Sequence, residues 1–446
     1  MQNTNRREFL KKSATTAGLL FSSPLVLKNF AQNSPNQRIN VAVVGIRSRG
    51  AQHYRQFLKI PNVQVTTICD VDENLFPKAV EEIEKLSGKK PKRVVDYRNI
   101  LDDKEVDAIS IATPDHWHAL QTIWACQAGK DVYVEKPISF TIEEGRKMIQ
   151  AARKYNRIVQ VGTQNRSDPV TIEAIKLLHQ GKLGELYMAR GVYYGERESI
   201  GKKPDGPIPE GVSWDLFLGP APYRPFNENR FHYNWHWFWD TGTTDLGNNG
   251  IHVMDKARWG LNKRIHPTSI FCTGGYYVFD SDQETPNTQI VTYKYDDGTI
   301  LECEIRNLYT NLEQEMVVGN FFYGSEGWMV LKSGEFQTFF GRKNEPGPSL
   351  SNTELASDPL NRAGTGGEPH FQNFIDCVRS RKWQDLNGDI LEGHLSTTIC
   401  HLGNIAYRTD KKLKFNPYSE KFVDDEDANS YLKRQYRFPY VLPENI

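Results

Sequence analysis

The 446-residue chain has few cysteines, no surplus of either charge and no long apolar run. Its six cysteines include no C-x-x-C pair, which excludes a disulfide scaffold and a cysteine-rich metal module. Lys plus Arg and Asp plus Glu both total 55, so there is no basic excess of the kind that nucleic-acid binding requires. No stretch of 18 apolar residues reads as a membrane span. Hydrophobic residues make up 38% and charged residues 25%, proportions of a folded protein rather than a disordered one. The length exceeds what one ordinary core organises, so two domains are expected.

The zero charge is unevenly spread. Residues 1–31 hold Arg6, Arg7, Lys11, Lys12 and Lys28 against Glu8, a net of +4, which leaves the other 415 residues at −4. A charged start, a short apolar stretch over 14–27 and the small Ala31 describe an export leader, and Arg6-Arg7-Glu8-Phe9-Leu10-Lys11 resembles a twin-arginine signal. The resemblance implies a periplasmic or otherwise exported protein, carried out already folded. Any cofactor would then travel inside it.

From Arg38 the chain alternates strand-like runs (39–45, 63–70, 107–113, 131–135, 158–162) with helical patterns (73–86, 115–129, 141–155). Such alternation predicts a parallel sheet with right-handed crossovers. Thr141-x-x-Glu144 is a capping box at the last of these helices. The first strand-to-helix turn, Gly45-Ile46-Arg47-Ser48-Arg49-Gly50, offers the outer glycines of a dinucleotide fingerprint with Arg47 in the middle position. Arg47 or Arg49 can pair with a phosphate. Asp70, 20 residues past Gly50, suits the ribose hydroxyls of NAD and would repel a 2′-phosphate, so NAD is favoured over NADP.

Two further segments end strands where open α/β sheets bind ligands: Thr113-Pro114-Asp115-His116-Trp117-His118 and Glu135-Lys136-Pro137. The strand-ending Thr-Pro and the Glu-Lys-Pro triplet resemble those of the Gfo/Idh/MocA oxidoreductase family, over about residues 38–410. The resemblance implies an α/β N-terminal Rossmann domain (38–162) and an α+β C-terminal domain (163–446) with an open, mostly antiparallel sheet, which serves substrate binding and oligomerisation. NAD is expected in contact with Gly45, Arg47, Arg49, Gly50, Asp70, Thr113, Pro114, His116, His118, Glu135, Lys136 and Gln164, and tightly bound because free NAD is not expected outside the cytoplasm; the resemblance itself puts Pro114 at the nicotinamide with Glu135 nearby. It places Lys136 at the reaction centre. A desolvated lysine there acts as a base or polarises an oxygen. It also implies a homo-oligomer, dimer or tetramer.

Beyond residue 162 strand-like runs dominate (185–194, 269–277, 288–295, 299–309, 321–331), with Asp297-Gly298 as a hairpin signal. Residues 341–368 read as a long loop, two helical runs follow at 370–380 and 392–408, and 415–446 reads as a wrapping tail. Residues 231–240 hold three of nine tryptophans. Tyr233, Trp235, His236, Trp237 and Trp239 suit a sugar-stacking platform, with Arg166 as a further substrate contact; a half-buried core strand fits the alternation equally well. His232 and His236 have helical spacing, but nothing nearby completes a metal set, so no metal is expected. The family usually shows Asp-x-x-x-His on a helix facing the nicotinamide. Here His252 aligns with Asn248 in the acid's place, and Asp245 lies one turn earlier. Lys136, His252, Asp245 and Asn248 are therefore the catalytic candidates. The expected activity is hydride transfer between bound nicotinamide and a carbinol of a sugar, glycoside or polyol. One alternative is an NAD-dependent glycoside hydrolase working by oxidation, elimination, hydration and reduction. Another is a sugar-binding protein with a vestigial cofactor site.

Overall fold

The computed structural model describes residues 38–308, 316–352 and 367–446; the leader expected at 1–31 lies outside them. Six strands form the first sheet: β1 (Ile39–Val44), β2 (Val63–Cys69), β3 (Lys92–Val94), β4 (Ala108–Ile111), β5 (Asp131–Val134) and β6 (Val159–Val161). All pairs are parallel, in the order β3-β2-β1-β4-β5-β6. β4, β5 and β6 are buried throughout, as a sheet covered on both faces by helices requires. The long covering helices are α1 (Ser48–Lys59), α2 (Phe76–Ser87), α3 (Asp115–Gln127) and α4 (Ile142–Lys154). The expected capping box is present at α4: Thr141 Oγ1 accepts from Glu144 N, and Glu144 accepts from Thr141 N. The order reverses between β1 and β4, and the carboxyl ends there open the cleft that holds ligands in such sheets.

The second sheet runs β14-β13-β12-β11-β7-β10-β9-β8-β15-β16. Its strands are β7 (Leu186–Tyr193), β8 (Ser269–Gly275), β9 (Thr288–Lys294), β10 (Ile300–Arg306), β11 (Val318–Gly324), β12 (Gly327–Lys332), β13 (Glu335–Phe340), β14 (Glu345–Ser351), β15 (Leu413–Asn416) and β16 (Lys421–Phe422). The β7–β10 pair is parallel and the others are antiparallel. β8 and β9 alternate buried with more exposed residues, so one face of the sheet meets the core. Onto that face pack α6 (Ile251–Gly260) and α8 (Ile390–Thr409), through Val253, Met254, Ala257, Ile399 and Cys400. α5 (Pro169–His179) and α7 (Gly367–Ser380) complete the longer helices.

Two expectations are corrected. Residues 345–351, read as loop, form edge strand β14; Pro346 and Pro348 are tolerated because an edge leaves one row of backbone groups unpaired. The aromatic run, where a strand fitted the alternation, forms a 3-10 turn at His232–Trp237, in which Trp235 and His236 stack at 3.6 Å. α7 packs at the junction of the two halves: Phe371 stacks on Tyr133 of β5 at 4.4 Å and meets Phe57 of α1 edge-on at 4.8 Å. The tail also returns, packing Tyr440 against Trp117 and burying Leu442 in the core of the nucleotide half. The six cysteines are free and buried, and no described helix is long and apolar enough to cross a membrane.

The α7 seam is apolar and closely packed. Phe371→Ala should therefore lower unfolding stability by about 3–5 kcal/mol, read as a lower urea midpoint. An unchanged midpoint would show that α7 is not part of the nucleotide half's cooperative core.

Candidate active site

The cleft at the carboxyl ends of the first sheet is a cavity of about 540 Å³. Its floor begins with the turn after β1. Gly45 has φ +78°, and a Cβ there would lie 2.5 Å from Ala112 O, so only glycine lets this turn close against the end of β4. A Cβ on Gly50 would meet Gly45 O at 1.7 Å. Arg47, in the middle position, is exposed and lines the cavity. Asp70 also lines it, but its carboxylate ties two turns together, accepting from Ile46 N at 2.8 Å and Asp72 N at 3.0 Å. Burial pushes the Asp70 carboxyl up to about 6 despite these bonds.

Glu135 is the hub of the floor. Its Oε1 accepts from Arg49 Nε at 2.8 Å, His53 Nε2 at 3.0 Å and Gln164 Nε2 at 3.1 Å. Burial alone would raise this carboxyl, but Arg49, His53 and Lys136 outweigh it and hold it well below the usual carboxylate range. Next in sequence, Lys136 precedes a cis proline and donates from Nζ to Asn248 O at 2.8 Å and Asn248 Oδ1 at 3.2 Å. Burial lowers its ammonium, against the opposing charges of Glu135, Asp115 and Asp245.

Opposite Lys136 the C-terminal half supplies Asn248 and His252. Asn248 sits in a π-helical turn over Leu246–Gly250 that leads into α6. His252 is buried at the cavity wall with its Nδ1 unpartnered. Burial, followed by the charge of Lys136, holds its imidazole far below its ordinary range and therefore neutral. Tyr233, Trp235 and His236 line the same cavity. His236 Nδ1 lies 2.5 Å from Tyr233 O, which leaves Nε2 unprotonated as an acceptor, and burial keeps the ring neutral with a pKa near 3.

Other candidates lie elsewhere. His116 is spent on backbone, with its ring nitrogens at 2.9 Å from Phe217 O and 3.3 Å from Thr241 O, and it does not line the cavity. His118 lines it, but both its nitrogens are 2.7 Å from the carbonyls of Pro137 and Thr113, so it fixes those two turns. Thr113 and Pro114 form the lip itself. Asp245 stands behind the wall, bound by Arg197, Asn248, Asn249 and Asn307. Arg166 is held in a buried ion network, forked onto Asp255 with Glu392 at 3.1 Å, because a guanidinium without water needs carboxylates around it. Trp237 is buried under Arg197, and Trp239 lines a separate cavity with Tyr407 and Arg408.

The sequence reading missed two features of the site. Asp115, in the first turn of α3, is buried in the cavity wall, accepts from Thr243 Oγ1 at 2.6 Å, and is pushed up to about 7 by burial. A carboxylate as the first residue after a Thr-Pro strand end was the available signal. The second is a strap across the cleft. Residues 210–217 bind the loop after β2 (Glu73 N to Gly211 O and Ser213 N to Val71 O, both 2.8 Å) and also α3 (Trp117 Nε1 to Leu216 O, 3.0 Å). No local pattern in the sequence announces so distant a pairing.

The glycine turn, the acidic end of β2 and the cleft fit a dinucleotide. Gly45, Gly50, Asp70, Thr113 and Pro114 would hold it, with Lys136, Asn248 and His252 at its reactive end. The curated relatives include the alpha-N-acetylgalactosaminidase of Shewanella oneidensis, 28% identical over an alignment of 218 residues that covers 44% of this chain and 47% of that protein. The glycosyl hydrolase family 109 protein 1 of Shewanella sp. strain ANA-3 is 28% identical over 216 residues, with the same two shares. The chain thus spans about half the length of these relatives. Among solved structures, a levoglucosan dehydrogenase in complex with NADH superposes with a TM-score of 0.64 at 19% identity, covering 84% of this chain and 99% of that one. The WlbA dehydrogenase from Bordetella pertussis, in complex with NADH and UDP-GlcNAcA, superposes with a TM-score of 0.60 at 19% identity, covering 85% and 99%. At these identities the superpositions establish the fold. Two family models match most of the chain, an NAD-binding Rossmann fold of the oxidoreductase family over residues 39–163 and its C-terminal alpha/beta domain over 193–324 and 360–442, and the chain belongs to the Gfo/Idh/MocA oxidoreductase family.

Proposed function

We propose that the protein is an exported, NAD-dependent oxidoreductase that acts on a carbinol of a sugar, glycoside or polyol and keeps its cofactor through turnover. The observation that carries this reading is the convergence of Lys136, Asn248 and His252 at one end of a cleft whose wall is aromatic. When bound, NAD supplies a hydride acceptor and donor. Lys136 takes the hydroxyl proton of the carbinol, since burial favours its neutral form, and Asn248 holds its Nζ in place. Neutral His252 orients the same oxygen. Tyr233 and Trp235 cover the apolar face of the ring. Asp70 favours NAD over NADP, because its carboxylate is ionised at neutral pH and repels a 2′-phosphate. The strap at 210–217 supports retention of the cofactor, as it joins both walls of the cleft. The leader at 1–31 supports export, and outward-facing Phe271 and Ile290 on the second sheet support a homo-oligomer.

A second reading, net hydrolysis by oxidation, elimination of the glycosidic group, hydration and reduction, is favoured by Asp115. Hydride transfer needs one base, and the cavity holds this additional acid. The hydrolase names of the sequence relatives also favour it. Incubation of the purified protein, without added NAD, with aryl glycosides and with free sugars separates the two: aryl release indicates hydrolysis, a keto-sugar indicates net oxidation. Silence from both, with no NAD leaving the denatured protein, would leave only a binding role.

Under either reading Lys136→Ala should lower turnover by about 10²–10⁴-fold while bound NAD remains; near-wild-type turnover would refute the assignment of Lys136. Trp214→Ala, which removes the buried anchor of the strap against Phe217, Phe226 and Phe231, should release NAD on dialysis that wild-type protein retains, read from the absorbance of the dialysate. Under the hydrolytic reading Asp115 donates its proton below about pH 7 and loses it above. Aryl release should therefore fall as the pH rises through 7, and Asp115→Asn should remove that inflection.

A further inference from the structure

We propose that His266, His394 and Glu420 form a binding site for one divalent cation of the zinc class, which clamps the β15–β16 hairpin to the body of the C-terminal half. The three residues come from separate elements. His266 lies in the link from α6 to β8, His394 in α8, and Glu420 in the turn between β15 and β16, where its backbone holds φ +49°. Both imidazoles are almost fully buried, at 3% and 2% exposure, and the Glu420 side chain is exposed by only 12%. Each histidine aims Nε2 at the same carboxylate oxygen, His266 from 3.0 Å and His394 from 2.8 Å. One ligand atom from each residue lies within 4.8 Å of the others.

The remaining polar atoms of the cluster lack hydrogen-bond partners: Nδ1 of His266, Nδ1 of His394 and Oε2 of Glu420. Arg146 forms an ion pair with that Oε2, its Nε at 2.8 Å but outside hydrogen-bond geometry. The orientation of His394 is also constrained. A Cβ on Gly145 of α4 would lie 2.3 Å from its Nδ1, so the absence of that side chain gives the ring its place. Donors around a zinc ion at about 2.1 Å lie about 3.4 Å apart at the tetrahedral angle, a spacing between the 2.8–3.0 Å imidazole–carboxylate contacts and the 4.8 Å outer bound of the triad. Two imidazole nitrogens and one carboxylate select zinc, cobalt or nickel; magnesium and calcium prefer oxygen ligands throughout. None of the three residues lines the cofactor cleft, so the bound ion is structural.

The test uses full-length, untagged protein stripped with a chelator and dialysed. Co²⁺ should be taken up at one ion per chain, with visible ligand-field absorption that Zn²⁺ bleaches, and Zn²⁺ should raise the melting temperature. Glu420→Gln and His394→Gln should lose both effects. Should either variant fail to fold, the cobalt spectrum and stoichiometry of the wild type decide alone. Absence of stoichiometric uptake by the wild type, leaving only a hydrogen-bonded triad, would overturn the proposal. Uptake and stabilisation unchanged in both folded variants would overturn it equally.

Discussion

The site depends on one buried carboxylate. Glu135 stands at the end of β5 with almost no water, and an unpaired charge there would be severely destabilising. Its compensation comes from three residues in two places: Arg49 and His53 of α1, and Gln164 just after β6. His53 in turn passes its other nitrogen to Ser110 of β4. The end of β5 is thereby fixed against α1 and β4, and Lys136 inherits that placement because it is the next residue. The glycine turn, which closes against the same end of β4, belongs to this frame.

The wall facing Lys136 is less self-sufficient. His252 rides on α6 and Asn248 on the π-helical turn that leads into it, and the position of α6 rests on the buried pair of Arg166 with Asp255 and on the packing of α8. Arg258, one turn beyond Asp255, adds Glu392 of α8 to the same network. Breaking such a pair leaves a charge without a partner, so these residues govern the site without touching its contents. The strap and the tail then close the cleft from outside, with Arg437 of the tail on Asp215 of the strap at Nη1–Oδ1 2.5 Å.

Local chemistry made part of this legible. The β–α alternation, the capping box, Gly45, Gly50, Asp70 and the Glu-Lys-Pro triplet each carry their meaning within a few residues, and Gly45, Gly50, Asp70, Glu135 and Lys136 line one cleft. Long-range pairing carried the rest. Trp235 and Trp239 look alike in sequence, yet one lines the cofactor cavity and the other a separate one. Arg166, expected as a substrate contact, is instead committed to Asp255, 89 positions away. α7 joined the nucleotide core through Phe371 and Phe374, whose helical spacing defines an apolar face but not the surface it meets.

The substitution of asparagine for the family's usual acid is where sequence and geometry meet. Asn248 presents Oδ1 to Lys136 and Nδ2 to Asp245, at 3.2 and 3.3 Å, so the amide stands between the ammonium and the carboxylate. Asp245 itself is engaged by Arg197 and Asn307 on its other side. An aspartate at 248 would bring a full negative charge against Lys136 Nζ and hold the lysine as a cation. The neutral amide keeps the geometry and removes that charge, and burial then governs the ammonium. The departure from the family pattern therefore favours a lysine that releases its proton readily, which is the property a base at a carbinol needs.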